Sequence, residues 1–236
     1  MIRDSAIRQP ITVSDRRLAE RAARGRVVVI DDDADILVAL HALLEFEGYV
    51  CETYASAVAF LQTWSEDLRR FPGPCCLVCD VRLPELDGLE LQRRLAASDD
   101  LPILLMSGAS GAPEAASAFR AGALDFLVKP VRAEVLLDAV TKALAVSAQR
   151  QRQQARRREL TTRFNSLTER ERAIAQLVAR GQRNLEMAQA LGIALRTVKR
   201  HRQQVMEKLA VATLADLVRV IDEMRSTVPN RPPDHR

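Results

Sequence analysis

Asp31, Asp32 and Asp33 follow directly on the apolar run Val27-Val28-Val29-Ile30. Asp80 ends a second apolar run, CCLVC, Ser107 ends a third, and Lys129 closes a fourth, DFLV. Burying several acids beside a core is costly unless a cation or a partner neutralises them. Two or three carboxylates converging with an open coordination position make a site for a hard, oxygen-seeking cation, Mg²⁺ above all. Mg²⁺ held in that way typically meets a phosphoryl group, and a lysine and a hydroxyl opposite would complete the neutralisation of its oxygens. On that chemistry Asp80 is a nucleophile toward phosphorus.

A second constellation lies in LRTVKRHRQQVMEKL, residues 195–209. On a helix, Val198, Val205 and Leu209 fall close to one face, while Arg196, Lys199, Arg200 and Gln203 take positions i, i+3, i+4 and i+7 on another. An apolar back and a basic, amide-bearing front, preceded by a short helix and a tight turn, suit the major groove of duplex DNA. A merely solvated basic face is the bland alternative. The charge distribution bears on the choice. Residues 1–24 carry a net +3, residues 25–140 a net −10 and residues 141–236 a net +11, giving +4 for the 236-residue chain. An acidic body joined to a basic tail points to two domains, the basic one facing a polyanion.

The elements that must position these residues can be read from periodicity. Between 25 and 140, short apolar runs at 27–30, 49–54, 75–79, 102–106 and 125–128 predict strands. Amphipathic stretches between them predict helices: one carrying Ile36, Leu37, Leu40, Leu43 and Leu44, then 56–69, 86–97, 113–121, and a fifth from Ala133. Five β–α units predict an α/β doubly wound five-stranded parallel sheet with helices on both faces. In such a sheet the site lies beyond the carboxyl ends of the strands, where the winding reverses. Asp31, Asp32, Asp80, Ser107 and Lys129 all occupy those ends.

Residues 141–165 contain no Gly or Pro and are rich in Gln, Arg and Ala, which predicts a continuous, solvated helical linker; a charged, flexible linker is the alternative. From Leu167 the pattern is all-helical, giving a second domain over 166–225. Thr168 and Glu171 form a capping box opening a helix to about Arg180, with further helices at 184–191, 195–209 and 213–225. The first 24 residues read as a flexible extension and 226–236, with three prolines, as a disordered tail. Neither a signal-peptide core nor a membrane-length apolar run occurs, so the expected location is the cytoplasm with no membrane partner. Cys76 and Cys79 have C-x-x-C spacing, but on a strand they point to opposite faces, so buried packing outweighs a redox or zinc pair.

The motifs IDDDADIL, CDVRLPELDGLEL, LLMSGAS and DFLVKP, in this order, resemble the receiver domain of two-component response regulators. The resemblance implies that Asp80 accepts a phosphoryl group from a sensor histidine kinase. It also implies that Asp31, Asp32, Asp80 and the backbone carbonyl of Arg82 bind Mg²⁺, and that Lys129 contacts the phosphoryl group. Ser107 becomes the switch hydroxyl and Phe126 the switch aromatic. Ser107 stands where threonine is common and Val131 where phenylalanine is frequent. SLTERERAIAQLVARGQRNLEMAQALGIALRTVKRHRQQVMEKLAVATLADLV is similar to the LuxR-type helix-turn-helix of NarL/FixJ-class regulators. That similarity makes 195–209 the recognition helix on promoter double-stranded DNA, with Lys199, Arg200 and Gln203 facing bases. Thr197, His201 and Arg202 fall nearer the backbone or the helix packing. Ala194 replaces a usual serine, Leu195 a common proline, and Leu185 a frequent phosphate-contacting base. A non-enzymatic regulator, homodimeric on phosphorylation or DNA binding and with RNA polymerase as a further contact, is the implied whole.

Two other readings fit part of the sequence. A Mg²⁺-dependent phosphohydrolase also uses an aspartate at a strand end, but it wants a second acid two residues on, where this chain has Arg82, and it leaves the basic half unexplained. A constitutive DNA-binding protein would use the receiver only to dimerise.

Overall fold

The computed structural model describes residues 24–64, 73–95, 101–108 and 112–225. The expectations for the first 23 residues, for 226–236, and for the ends of the second and third helices at 65–69 and 96–97 fall outside them. The chain divides into two compact units, Met1–Gln151 and Arg152–Arg236.

The first unit holds strands β1 (Arg26–Ile30), β2 (Val50–Tyr54), β3 (Cys75–Asp80), β4 (Ile103–Ser107) and β5 (Asp125–Val128). All pair in parallel, in the order β2-β1-β3-β4-β5. Helices α1 (Ala34–Phe46), α2 (Ala57–Trp64), α3 (Gly88–Leu95), α4 (Ala112–Arg120) and α5 (Ala133–Asn165) alternate with them. The chain steps outward from β1 to β2 and then crosses over to β3, so the winding reverses between β1 and β3. Asp31 follows one of those strands and Asp80 ends the other.

Both faces of the sheet are covered, which explains why β3 is buried at all six positions. Val28, Ile30, Leu77, Cys79 and Leu105 pack in one cluster with α2, α3 and α4, and Val27, Val29, Cys76, Val78 and Met106 pack in the other with α1 and α5. Cys76 and Cys79 therefore lie on opposite faces, as strand alternation requires. All four cysteines are free and buried, and burial pushes their thiols up, Cys51 and Cys75 to about 12.

Helix α5 is continuous through 165, but it is less solvated than its composition predicts. Leu136, Ala139, Val140, Ala143 and Leu144 continue an i, i+3, i+4 stripe against the sheet, and Ser147 is fully buried, accepting the Cys75 N–H at 3.1 Å. The Gln151 amide donates to the Gly73 carbonyl at 3.0 Å. Helical periodicity thus carries one face onto the sheet well past residue 140, and the longest mostly exposed stretch is 152–159.

In the second unit, the end of α5 (through Leu160 and Phe164) joins α6 (Glu169–Ala179), α7 (Asn184–Leu191), α8 (Leu195–Leu209) and α9 (Leu214–Arg225) around one core. Thr168 and Glu171 form the capping box: Glu171 Oε2 accepts the Thr168 N–H at 2.7 Å, and Thr168 Oγ1 accepts the Glu171 N–H at 3.3 Å. Gly192, at φ 63°, ends α7 in the left-handed conformation that lets the chain turn directly into α8. Among the described residues no helix is long and apolar enough to cross a membrane.

Candidate functional site: an acidic crevice and a basic helix

Strand β1 delivers Asp31 fully buried, and β3 delivers Asp80 at 7% exposure. Asp32, next in the chain, points outward and is exposed. Carboxylate oxygens of Asp31, Asp32 and Asp80 lie within 4.8 Å of one another. From β5, Lys129 Nζ donates to Asp31 Oδ2 at 2.6 Å and to Asp80 Oδ2 at 2.5 Å. Bonds between an ammonium and a carboxylate are charge-assisted, the stronger kind of hydrogen bond. Burial pushes the Asp31 carboxyl above its ordinary value against the opposing Lys129 and Asp33 hydrogen bonds, with the Asp80 charge adding to the rise. For Lys129, burial works to lower the ammonium, but its bonds to both acids outweigh this and hold it above its ordinary value.

Backbone geometry fixes the crevice further. The Arg82 amide donates to Asp80 Oδ1 at 3.0 Å, the Asp33 amide to Asp31 Oδ1 at 3.1 Å, and the Lys129 amide to the Ser107 carbonyl at 2.8 Å. Asp33 caps α1, its Oδ1 accepting from the amides of Asp35 at 2.9 Å and Ile36 at 3.4 Å. The third acid of the triplet thus has a helix to begin. Ser107 is fully buried at the end of β4, one residue beyond Met106, the partner of Asp80 in the last β3–β4 pair. Phe126 is half-buried, packed against the cluster that holds α3 and α4. Arg82 and Asp32 line a common cleft with Asp87.

One contributor escaped the sequence reading. A Cβ on Gly88 would lie 2.3 Å from the Asp80 carbonyl oxygen, while the Gly88 amide donates to the Val81 carbonyl at 2.9 Å. The loop after β3 folds back on the acid's own backbone, and only glycine fits there. Its sequence signal was the Asp-Gly pair before a helix, which by itself reads only as a turn.

On α8 the apolar side is as expected: Val198, Val205 and Leu209 are buried in the second unit's core. Arg196, Lys199, Arg200 and Gln203 are exposed; Thr197, His201 and Arg202 are half-buried. The stripe is split in two. Lys199, Arg202 and Gln203 border a concavity with Asn184 and Met206, whereas Arg196, Thr197, Arg200 and His201 border another with Gln204. The Arg202 guanidinium donates to Asn184 Oδ1 at the start of α7, so it also ties the two helices together. His201 Nδ1 is buried without a hydrogen-bond partner among the described residues. The far end of α8 is anchored by Lys208, whose Nζ lies 2.7 Å from Glu171 Oε2, and by Arg163, which donates to the Leu209 carbonyl at 3.2 Å. Neither anchor carried a periodic signal in the sequence.

A doubly wound sheet with this acidic crevice, followed by a helix-turn-helix with a basic front, defines a two-domain response regulator. A family model described as "Response regulator receiver domain" matches residues 27–141, and one described as "Bacterial regulatory proteins, luxR family" matches residues 165–221. The chain belongs to the response-regulator family, in its NarL/FixJ class, and is a transcription factor by that membership. It is similar to the response regulator protein TodT of Pseudomonas putida, 37% identical over 215 residues that cover 90% of this chain and 91% of TodT. It is also similar to the transcriptional regulatory protein FixJ of Azorhizobium caulinodans, 38% identical over 195 residues covering 82% and 90%. Among solved structures, the response regulator StyR matches with a TM-score of 0.74 at 39% identity, over 84% of this chain and 98% of that one. Full-length FixJ from B. japonicum matches with a TM-score of 0.52 at 32% identity, over 86% and 98%. A receiver implies a histidine kinase partner, and a luxR-family domain implies DNA binding.

Proposed function

We propose that this protein takes a phosphoryl group onto Asp80 from a sensor histidine kinase and in consequence changes its grip on promoter DNA. The observation that carries the reading is the convergence of Asp31, Asp32, Asp80 and Lys129 from three strand ends. The oxygen-only donor set, with one exposed acid and two buried ones, fits Mg²⁺. Asp31, Asp32, Asp80 and the Arg82 carbonyl would hold it, and it supplies charge neutralisation of the phosphoryl oxygens and of the crowded acids. Asp80 Oδ forms the new bond to phosphorus as the N–P bond of the kinase phosphohistidine breaks, and the histidine nitrogen leaves with the electron pair. Lys129, already bonded to Asp80 Oδ2, is placed to move to a phosphoryl oxygen. Ser107 supplies the hydroxyl that follows the phosphoryl group, and Phe126 packs differently when it does. No product is released, so the chain acts as a regulator, not as an enzyme on a diffusible substrate.

The second unit then reads DNA through α8. Lys199, Arg200 and Gln203 face base edges, Arg196 lies on the same stripe, and Thr197, His201 and Arg202 fall nearer the backbone and the packing. Receiver dimerisation would place two such helices on paired half-sites, with RNA polymerase as the downstream contact. The receiver corresponds to 25–140 with a helical linker over 141–165.

Acetyl phosphate with Mg²⁺ should label the protein with one hydroxylamine-labile phosphate, and Asp80→Asn should carry none. Equal labelling of the variant removes Asp80 from the role. If wild-type DNA affinity is the same before and after labelling, the receiver serves only to dimerise and the protein binds DNA constitutively.

A further inference from the structure

The receiver's buried polar side chains divide into those facing the acidic crevice and one that does not. Gln92, in the middle of α3, is 2% exposed. Its Nε2 donates to the Ala118 carbonyl in the last turn of α4 at 3.1 Å. The same carbonyl accepts the Ala123 N–H at 3.0 Å as the chain leaves the helix. Gln92 therefore shares the closure of one of the free carbonyls at the C-terminal end of α4. Its Oε1 is buried with no hydrogen-bond partner among the described residues. Leu91 and Leu95 beside it and Ala118 opposite are buried apolar residues, where leucine would fill the volume without stranding an acceptor. Packing alone does not call for an amide here.

Its position along α3 supplies a reason. Gly88 lies one turn earlier, and its backbone is pressed against the Asp80 carbonyl. Thus α3 touches the acid at its first residue and α4 at Gln92. The other end of α4, Ala112, follows Ser107 by five residues in the chain. We infer that Gln92 is a positioning residue that pins the C-terminal end of α4 to α3, so that α4 responds to phosphorylation by pivoting about Ala118 rather than by sliding as a whole. The inference rests on the reading of Asp80 as phospho-acceptor.

The test compares the wild-type full-length chain with Gln92→Leu, which keeps volume and removes the amide, and with Gln92→Met as a second apolar replacement. Amide hydrogen exchange is followed across 112–123, with and without Mg²⁺ and beryllofluoride as the phosphoryl mimic. Acetyl phosphate labelling and DNA affinity before and after labelling are measured in parallel. In the wild type, the mimic should alter exchange at the start of α4 and leave Gly122 and Ala123 nearly unchanged. In both variants, Gly122 and Ala123 should exchange about fivefold faster even without the mimic, the size expected for one lost hydrogen bond. Labelling at Asp80 should persist, while the ratio of labelled to unlabelled DNA affinity falls toward one. Unchanged exchange at Gly122 and Ala123 in the variants overturns the pin. Faster exchange with an intact affinity ratio makes Gln92 a structural residue only and overturns the pivot. Failure of the wild type to label would instead sink the Asp80 reading, a separate result from either.

Discussion

Asp31, Asp80 and Lys129 meet across as many as 98 residues of sequence, from the ends of three strands. Arg196, Lys199, Arg200 and Gln203 lie within eight residues on one helix. In the first group two buried acids share the half-buried Lys129 through two ion pairs, which leaves an excess of negative charge; the second is exposed and has its charge turned outward. A buried charge cluster depends on every element that brings its members together, and removing one member leaves the others uncompensated. An exposed stripe depends chiefly on helix period, and its members are separable. The acidic crevice should therefore fail as a unit, and the basic helix by increments.

Lys129→Met tests this contrast most severely. It leaves Asp31 and Asp80 facing each other without their cation, so without metal the receiver should lose about 3–5 kcal/mol, the usual cost of orphaning a buried ion pair. Mg²⁺ should return much of the lost melting temperature by neutralising the same acids. Asp32→Asn, at the exposed rim, should leave metal-free stability intact and abolish Mg²⁺-dependent labelling. A metal-free melting temperature in Lys129→Met equal to wild type would mean that the crevice is not electrostatically coupled.

The capping box at Glu171 brings a buried carboxylate, paired with the exposed Lys208, into the basic domain, so that domain should show one crevice-like response. Burial works to raise the Glu171 carboxyl, but Lys208 and the Thr168 amide and hydroxyl outweigh it and hold it below its ordinary value. A depressed folded value means that its stabilisation is full above the unfolded pKa and is lost as pH falls through the folded one. Glu171→Ala should cost the domain about 1.5–3 kcal/mol at neutral pH, the worth of hydrogen bonds to a charged group. The gap between variant and wild type should close as the pH drops below about 4. Denaturant unfolding at neutral and acid pH checks it; a gap that is constant with pH would mean the carboxylate's charge is irrelevant.

Separable behaviour is expected along the exposed stripe. Arg200→Ala should lose about 1–3 kcal/mol of discrimination between a selected site and a scrambled duplex, and keep most of the salt-sensitive, nonspecific affinity. Arg202→Ala should weaken both duplexes together, because Arg202 also ties α8 to Asn184. Titrations at several salt concentrations distinguish the two, and equal losses for Arg200→Ala would place a different line of α8 against the bases.

The smallest effect should be a gain. Ala194 caps α8 with extended backbone at φ −65° and ψ 146° and offers no side-chain hydrogen bond. Ala194→Ser should add about 0.5–2 kcal/mol to the second unit's stability, with site preference unchanged. A loss of stability in thermal unfolding would show that the serine hydroxyl cannot reach the first-turn amides of α8.

Much of this was legible before any coordinates because it is periodic or local. Alternating runs ending in Asp31, Asp80, Ser107 and Lys129 marked the strand ends, and once the sheet is doubly wound those ends must share one edge. Val198, Val205 and Leu209 marked the buried side of α8, and Thr168 with Glu171 marked the start of α6, since each pattern involves only neighbours in one helix. Tertiary structure alone decided which groups actually touch. It gave Lys129 both acids, set Gly88 against the Asp80 carbonyl, and paired Lys208 with the capping-box carboxylate 37 residues earlier. It also divided the basic stripe between two concavities and carried α5 along the sheet as far as Gln151. Sequence period fixes direction around an element's own axis. Contacts between elements depend on how volumes pack, and no spacing within a single element records that.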